Sequence, residues 1–187
     1  MKREAIIKLK SITNTTFGKF HQTQKEPGEL SDAYERRTWK EKAHYDEHGF
    51  VKIPGTMIAN CIRESARFMS LQIPGKGKAT FTKHFDAGII VYSDIVTKIS
   101  KKELQGDTRH VPSDGRAGGT KRVLKIFPIL MQWEGEITVI IGDDIITPDV
   151  LEDVVRNAGN LIGIGTWRPK NRGMNGRFEL IDMKWIE

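Results

Sequence analysis

The segment Asn160–Leu180, NLIGIGTWRPKNRGMNGRFEL, sets Gly163, Gly165, Gly173 and Gly176 among Arg168, Lys170, Arg172 and Arg177, with Glu179 as its single acid. So many glycines would weaken a helix or a strand, so the segment reads as a loop. The chemistry open to it is anion recognition. Backbone N–H groups without side chains in the way can approach a phosphate, and guanidinium forks match its oxygens. Trp167 adds a flat face on which a nucleobase can stack. A solvated loop charged only for solubility is the plain alternative, and the company of glycine, arginine and tryptophan favours binding. Gly163, Gly165, Trp167, Arg168, Lys170, Arg172, Gly173 and Arg177 are therefore candidate nucleic-acid ligands.

Two further basic stretches belong with it. Residues 97–122 carry Arg109, Arg116, Lys121 and Arg122 among Gly106, Gly115, Gly118 and Gly119, with no apolar periodicity. A stretch of that length and composition is expected to be an inserted loop that is functional or that orders on a ligand. Lys76, Lys78 and Lys83 form the second cluster, and Arg63 and Arg67 flank a predicted helix. Acidic residues collect elsewhere, in 26–47 and 134–153. The net charge of +6 is thus segregated along the chain, which points to a polyanionic partner.

Signals for catalysis are weak. His44 and His48, in HYDEH, have metal-ligand spacing only on a helix, and the segment reads as a solvated turn before a strand. Asp32 and Asp46 are the loop carboxylates that a metal-dependent cleavage would use, and no motif marks them. There is no Ser-His-Asp pattern, P-loop or dinucleotide fingerprint. The expectation is a binding protein with no cofactor and no metal.

These candidates need elements to position them. The chain has 187 residues, enough to bury a core without staples, and its one cysteine, Cys61, excludes an internal disulfide. No segment is apolar enough to span a bilayer, and the expected location is a reducing cytoplasm with no membrane partner. Alternation of Ala5, Ile7 and Leu9 predicts a first strand over 4–12. Residues 13–49 are polar, with a hairpin arm expected over 34–44. Phe50–Ile53 is a short strand, closed by Pro54-Gly55. Thr56 is placed to cap a helix whose stripe is Met57, Ile58, Cys61, Ile62, Ser65, Phe68 and Met69. A loop follows over 73–85, then strands over 88–96, 123–131 and 136–141. Thr147-Pro148-Asp149 opens a second helix, stopped at Gly159, and 178–186 is the last strand. Two helices among antiparallel strands is the split βαβ pattern. The expected fold is an α+β, ferredoxin-like or RRM-like sandwich with an antiparallel sheet and long inserted loops, over one domain of 1–187.

Two segments, FVKIPGTMIANCIRESARF and LIGIGTWRPKNRGMNGRFEL, resemble the RAMP superfamily, the RNA-recognition-motif-like backbone subunits of CRISPR effector complexes. The first is similar to the family's strand, Pro-Gly turn and arginine-bearing helix; the second resembles its glycine-rich loop leading into a strand. Thr56-Met57-Ile58 stands where the family has Ser-Ser-Leu, Asn60 lies near its Lys-Gly, and Trp167-Arg168-Pro169 interrupts the glycine loop. The resemblance implies a non-catalytic backbone subunit, or a phage or mobile-element relative of one. It would bind single-stranded RNA or DNA and assemble as a homo-oligomer or filament along the strand, with other effector-complex subunits as further partners. Arg63 and Arg67 would then face the nucleic acid, and the 97–122 insertion would clamp or separate bases. A metal-dependent ribonuclease on the same fold and a protein-binding mimic of a backbone subunit are the rival expectations.

Overall fold

The computed structural model describes residues 3–113, 115 and 119–186. Ala5, Ile7 and Leu9 are fully buried on one face of β1 (Arg3–Ser11), as the alternation predicts. β2 (Thr15–Thr16) follows, then α1 (Ser31–Thr38), a 3-10 turn at Trp39–Lys42 and β3 (Phe50–Ile53). Helix α2 runs Gly55–Met69 and the short α3 runs Thr82–Gly88. Strands β4 (Ile89–Val91), β5 (Ile95–Ser100), β6 (Gln105–Pro112), β7 (Arg122–Leu130) and β8 (Glu134–Ile141) come next. Helix α4 (Pro148–Asn157) and β9 (Phe178–Ile186) complete the order.

The main sheet has the order β4-β8-β1-β9, with every neighbouring pair antiparallel. Reduced to β1-α2-β4-β8-α4-β9, the path is the split βαβ arrangement with the first and third strands central. Register pairs Ala5 with Val139 and Ile7 with Ile137, so one face is continuously apolar. Ile58 and Ile62 of α2 and Leu151, Val154 and Val155 of α4 belong to the same buried cluster. Full burial of each such side chain contributes about 1.5–3 kcal/mol, which is what holds the helices to the sheet. The fold is α+β, mixed and antiparallel, as expected.

The open face of the sheet bears on function. Its central rows carry Ile6 beside Thr138 and Lys184, and Lys8 beside Glu136 and Asp182. Lys8 also pairs with Glu134 at 2.7 Å. Tyr92, which follows β4 and whose N–H donates to the Thr138 carbonyl at 3.4 Å, extends the first of these rows at the sheet edge as an exposed aromatic.

The excursions differ from expectation. Residues 34–44 form α1 and a 3-10 turn instead of a hairpin, because Glu35 and Thr38 dock inward at helical spacing. The 97–122 insertion is largely a hairpin: β6 pairs with β7 from Gln105–Ile129 to Pro112–Arg122. Its pattern resides in β7 alone, where Leu124, Ile126 and Leu130 are buried, while β6 is polar. The predicted 88–96 strand is two strands in different sheets, β4 in the main sheet and β5 beside β3. Part of the predicted 73–85 loop is α3. Helix α2 starts two residues earlier than the Thr56 cap implies, and Asp94 caps it from across the turn by accepting the Gly55 N–H at 2.8 Å. Gly159 does not stop the second helix, which continues as a wide π turn through Ile162. It is glycine because a Cβ there would fall on the Phe178 carbonyl.

Candidate nucleic-acid interface

The glycine loop is fastened to α2. The Cys61 thiol donates to the Ala158 and Gly163 carbonyls, and burial pushes that thiol up to about 12, leaving it an inert packing group. Glu64, three residues on, accepts Arg168 at 2.9 Å and also binds Lys170. Glu64 thus anchors two of the loop's cations to the helix, while its single negative charge offsets only one of them. Arg177 donates to the Asn160 carbonyl, and Arg172, left-handed at φ 62°, closes a 3-10 turn.

The loop's glycines have an internal explanation. A Cβ on Gly165 would meet the Thr16 carbonyl, on Gly173 the Trp167 carbonyl, and on Gly163 the Pro169 ring at 2.6 Å. Gly163 and Gly165 also have φ of 72° and 77°, where side chains are strained. The N–H groups of Gly163, Ile164, Thr166, Gly173 and Gly176 all donate to carbonyls of the chain itself. The close approach that the glycines permit is backbone on backbone. With these N–H groups engaged, the loop does not present the expected open N–H cradle.

Trp167 is the side chain the loop displays. It takes φ 57°, a left-handed conformation that costs a non-glycine residue about 1–2 kcal/mol. Its carbonyl accepts the Asn175 N–H at 3.0 Å, and the Gly173 N–H donates to the Arg168 carbonyl at 3.0 Å, which holds the turn. The indole is 38% exposed. Arg109 of β6 lies over it with the guanidinium carbon 4.8 Å from the ring centroid, and Phe127 of β7 meets it edge-on at 6.0 Å. Arg109 is also held by Asp107 at 2.6 Å. The hairpin and the loop thus join through one aromatic–cation stack.

Two concave surfaces open beside it. The first, about 340 Å³, lies between Met57 and Asn60 of α2, Ile164–Thr166 and Arg168 of the loop, and Gly18, Lys19 and His44 of the arm. The second, about 370 Å³, shares Gly18 and Lys19 and continues over Lys42, Lys125 and Phe127 towards the hairpin tip. Burial, with Lys19 and Lys52 nearby, lowers the His44 pKa, so the imidazole is neutral at pH 7 and can both donate and accept. Lys42 and Lys125 both bind the buried Glu35.

The whole chain aligns with a chain in the cryo-EM structure of Type III-B Cmr-beta bound to cognate target RNA, at a TM-score of 0.51 and 14% identity. The two share a fold. This chain spans 61% of that chain's length. No family model and no curated protein matches the sequence.

The remaining candidates are scattered. Arg63 turns inward, donating to the Ile89 carbonyl at 2.8 Å and to Asn60 Oδ1 at 3.3 Å. Arg67 pairs with Asp86 at 2.9 Å. Lys76 and Lys78 follow the C-terminal end of α2, and Lys83 is on α3; the groove is at the other end of α2, roughly 20 Å away for a helix of this length. Arg122 donates to the His110 carbonyl at 3.2 Å, Lys121 is exposed just before β7, and Arg116 lies outside the described residues. Asp46 accepts the His48 and Phe50 N–H groups, a turn-forming role, and Asp32 is exposed in the first turn of α1. Among the described residues no group of three or more His, Cys, Asp or Glu could hold a metal ion, and no helix is long and apolar enough to cross a membrane.

Sequence reasoning did not single out Lys19, Lys42, Asn60, Lys125, Phe127 and Thr166, which line these grooves. For Lys125 and Phe127 a signal existed, since they alternate with the buried Leu124 and Ile126 along β7. For Lys19 and Lys42 there was none, because only the tertiary path of the arm brings them to the loop.

Proposed function

We propose that this protein binds single-stranded nucleic acid, RNA foremost, without cutting it, as a RAMP-like backbone subunit that assembles along the strand with further copies or other subunits. The observation that carries this reading is the Trp167–Arg109 stack beside a groove rimmed by Lys19 and Arg168. A base can stack on the exposed indole while its phosphates meet the cations, which is how unpaired strands are held without sequence readout. The fold likeness to a chain from an assembly bound to target RNA supports the same reading.

The test is a salt titration with labelled oligonucleotides. Affinity is expected to fall with a log–log slope of about −0.7 per phosphate contacted, and Trp167→Ala to weaken binding by about 1–3 kcal/mol at unchanged slope. A flat salt response, with Trp167→Ala lowering the melting temperature only, would assign the loop to the scaffold and leave the protein-binding reading. Incubation of labelled RNA and DNA with divalent metal is expected to leave strand lengths unchanged. Cleavage lost on Asp32→Ala or Asp46→Ala would establish the nuclease reading instead.

A further inference from the structure

Asn60 occupies an unusual place in the groove. It is exposed on α2 and lines the concavity, and Arg63, one turn on, donates to its Oδ1 at 3.3 Å. A guanidinium has donors and no acceptor, so the amide must present its oxygen to Arg63 and its Nδ2–H groups elsewhere. Arg63 is itself held by the Ile89 carbonyl at 2.8 Å, which fixes the direction. The Asn60 amide makes no other hydrogen bond among the described residues, so its donors are unengaged on a residue that lines the groove.

The rest of the groove suits a nucleobase. Met57 supplies apolar surface, and the Lys19 ammonium, without an ion-pair partner among the described residues, stands at the rim beside Arg168. A volume of about 340 Å³ is that of a small-ligand site. Resting on the reading of this protein as a single-strand binder, we infer that the groove takes one unpaired nucleobase and that Asn60 reads its edge, selecting bases that carry a carbonyl. Uracil projects carbonyl oxygens that accept the Nδ2–H groups. Adenine has no carbonyl, and the bidentate pairing by which an asparagine holds its N6–H and N7 needs the Oδ1 that Arg63 engages. Asn60 is the specificity residue and Arg63 the positioning residue behind it.

The experiment measures binding of labelled oligo-U and oligo-A to the wild-type protein, Asn60→Ala and Asn60→Asp. One such hydrogen bond corresponds to about a fivefold preference for oligo-U. Asn60→Ala is expected to reduce the U-to-A affinity ratio by that factor. Self-stacking of oligo-A is common to all three proteins and cancels in the comparison of ratios. Asn60→Asp keeps the bond to Arg63 but replaces donors with an acceptor, and is expected to invert the order. A ratio unchanged by both substitutions, or the absence of any preference in the wild type, overturns the assignment while the binding function stands. Failure of the wild type to bind either oligonucleotide overturns the binding function, and the inference with it.

Discussion

Replacing Glu35 with alanine is expected to cost about 3–5 kcal/mol of stability and to lower the melting temperature by roughly 10 °C or more. Glu35 is 2% exposed. Its carboxylate accepts the Ile126 N–H at 2.7 Å and binds Lys42 and, at 3.3 Å, Lys125. Removing it strands a nearly buried ammonium on Lys42 and leaves the Ile126 N–H unpaired, and those two penalties set the size of the loss. Glu35→Gln keeps an acceptor for Ile126 and should fall between alanine and wild type. The pH dependence has a definite sign. Burial pushes the Glu35 carboxyl up, but the Ile126 N–H, Lys42 and Lys125 outweigh that and hold it below its ordinary value. Its contribution is therefore present above the unfolded carboxyl's pKa and is lost as pH falls through the folded one. Denaturation at pH 7 and at pH 4 compares the two: the gap between wild type and Glu35→Gln should narrow in acid. Equal stability of Glu35→Ala and wild type at pH 7 would mean that α1 is not latched to the hairpin by this residue.

That latch also explains what the sequence displayed and what it hid. Strands β1 and β8 and helices α2 and α4 advertise themselves through apolar spacing, such as Ala5-Ile7-Leu9 or Leu151-Val154-Val155, because burying hydrocarbon is what forms them. Helix α1 hides because its inward residues are Glu35 and Thr38, which pattern reading counts as solvent-facing. Strand β6 hides for a related reason: its place is set by hydrogen bonding to β7 and by Gly106, which lets the Trp39 ring lie 3.1 Å from the position a Cβ would take. At the candidate site, glycine, arginine and tryptophan marked the loop that lines the groove. The wall opposite, Lys19 and His44, comes from an arm whose path depends on contacts far away in sequence. The pairing of Arg168 and Lys170 with Glu64 was equally invisible, since two basic residues in a loop look free until a helix face is laid beside them.

The glycine loop yields the second large effect. Gly173→Val is expected to destabilise the protein by about 3 kcal/mol, within the range of steric and backbone clashes in packed regions, and to reduce nucleic-acid affinity in proportion. A glycine open to phosphate, as the sequence pattern alone implies, would instead lose more binding than stability on this substitution. In the structure the space is filled: a Cβ on Gly173 would lie within the Trp167 carbonyl, a backbone atom that no side-chain rotation can move aside. The Gly173 N–H to Arg168 carbonyl bond and the Asn175 N–H to Trp167 carbonyl bond would have to break together. Those bonds hold Trp167 at φ 57°, so the indole would leave Arg109 and Phe127, and the stack that offers a face to a base would be lost with it. Melting temperature and oligonucleotide affinity measured on the same variant decide the matter. A coupled fall supports the loop as a rigid mount for Trp167. Full stability with abolished binding would return Gly173 to the ligand, as a point where phosphate touches backbone.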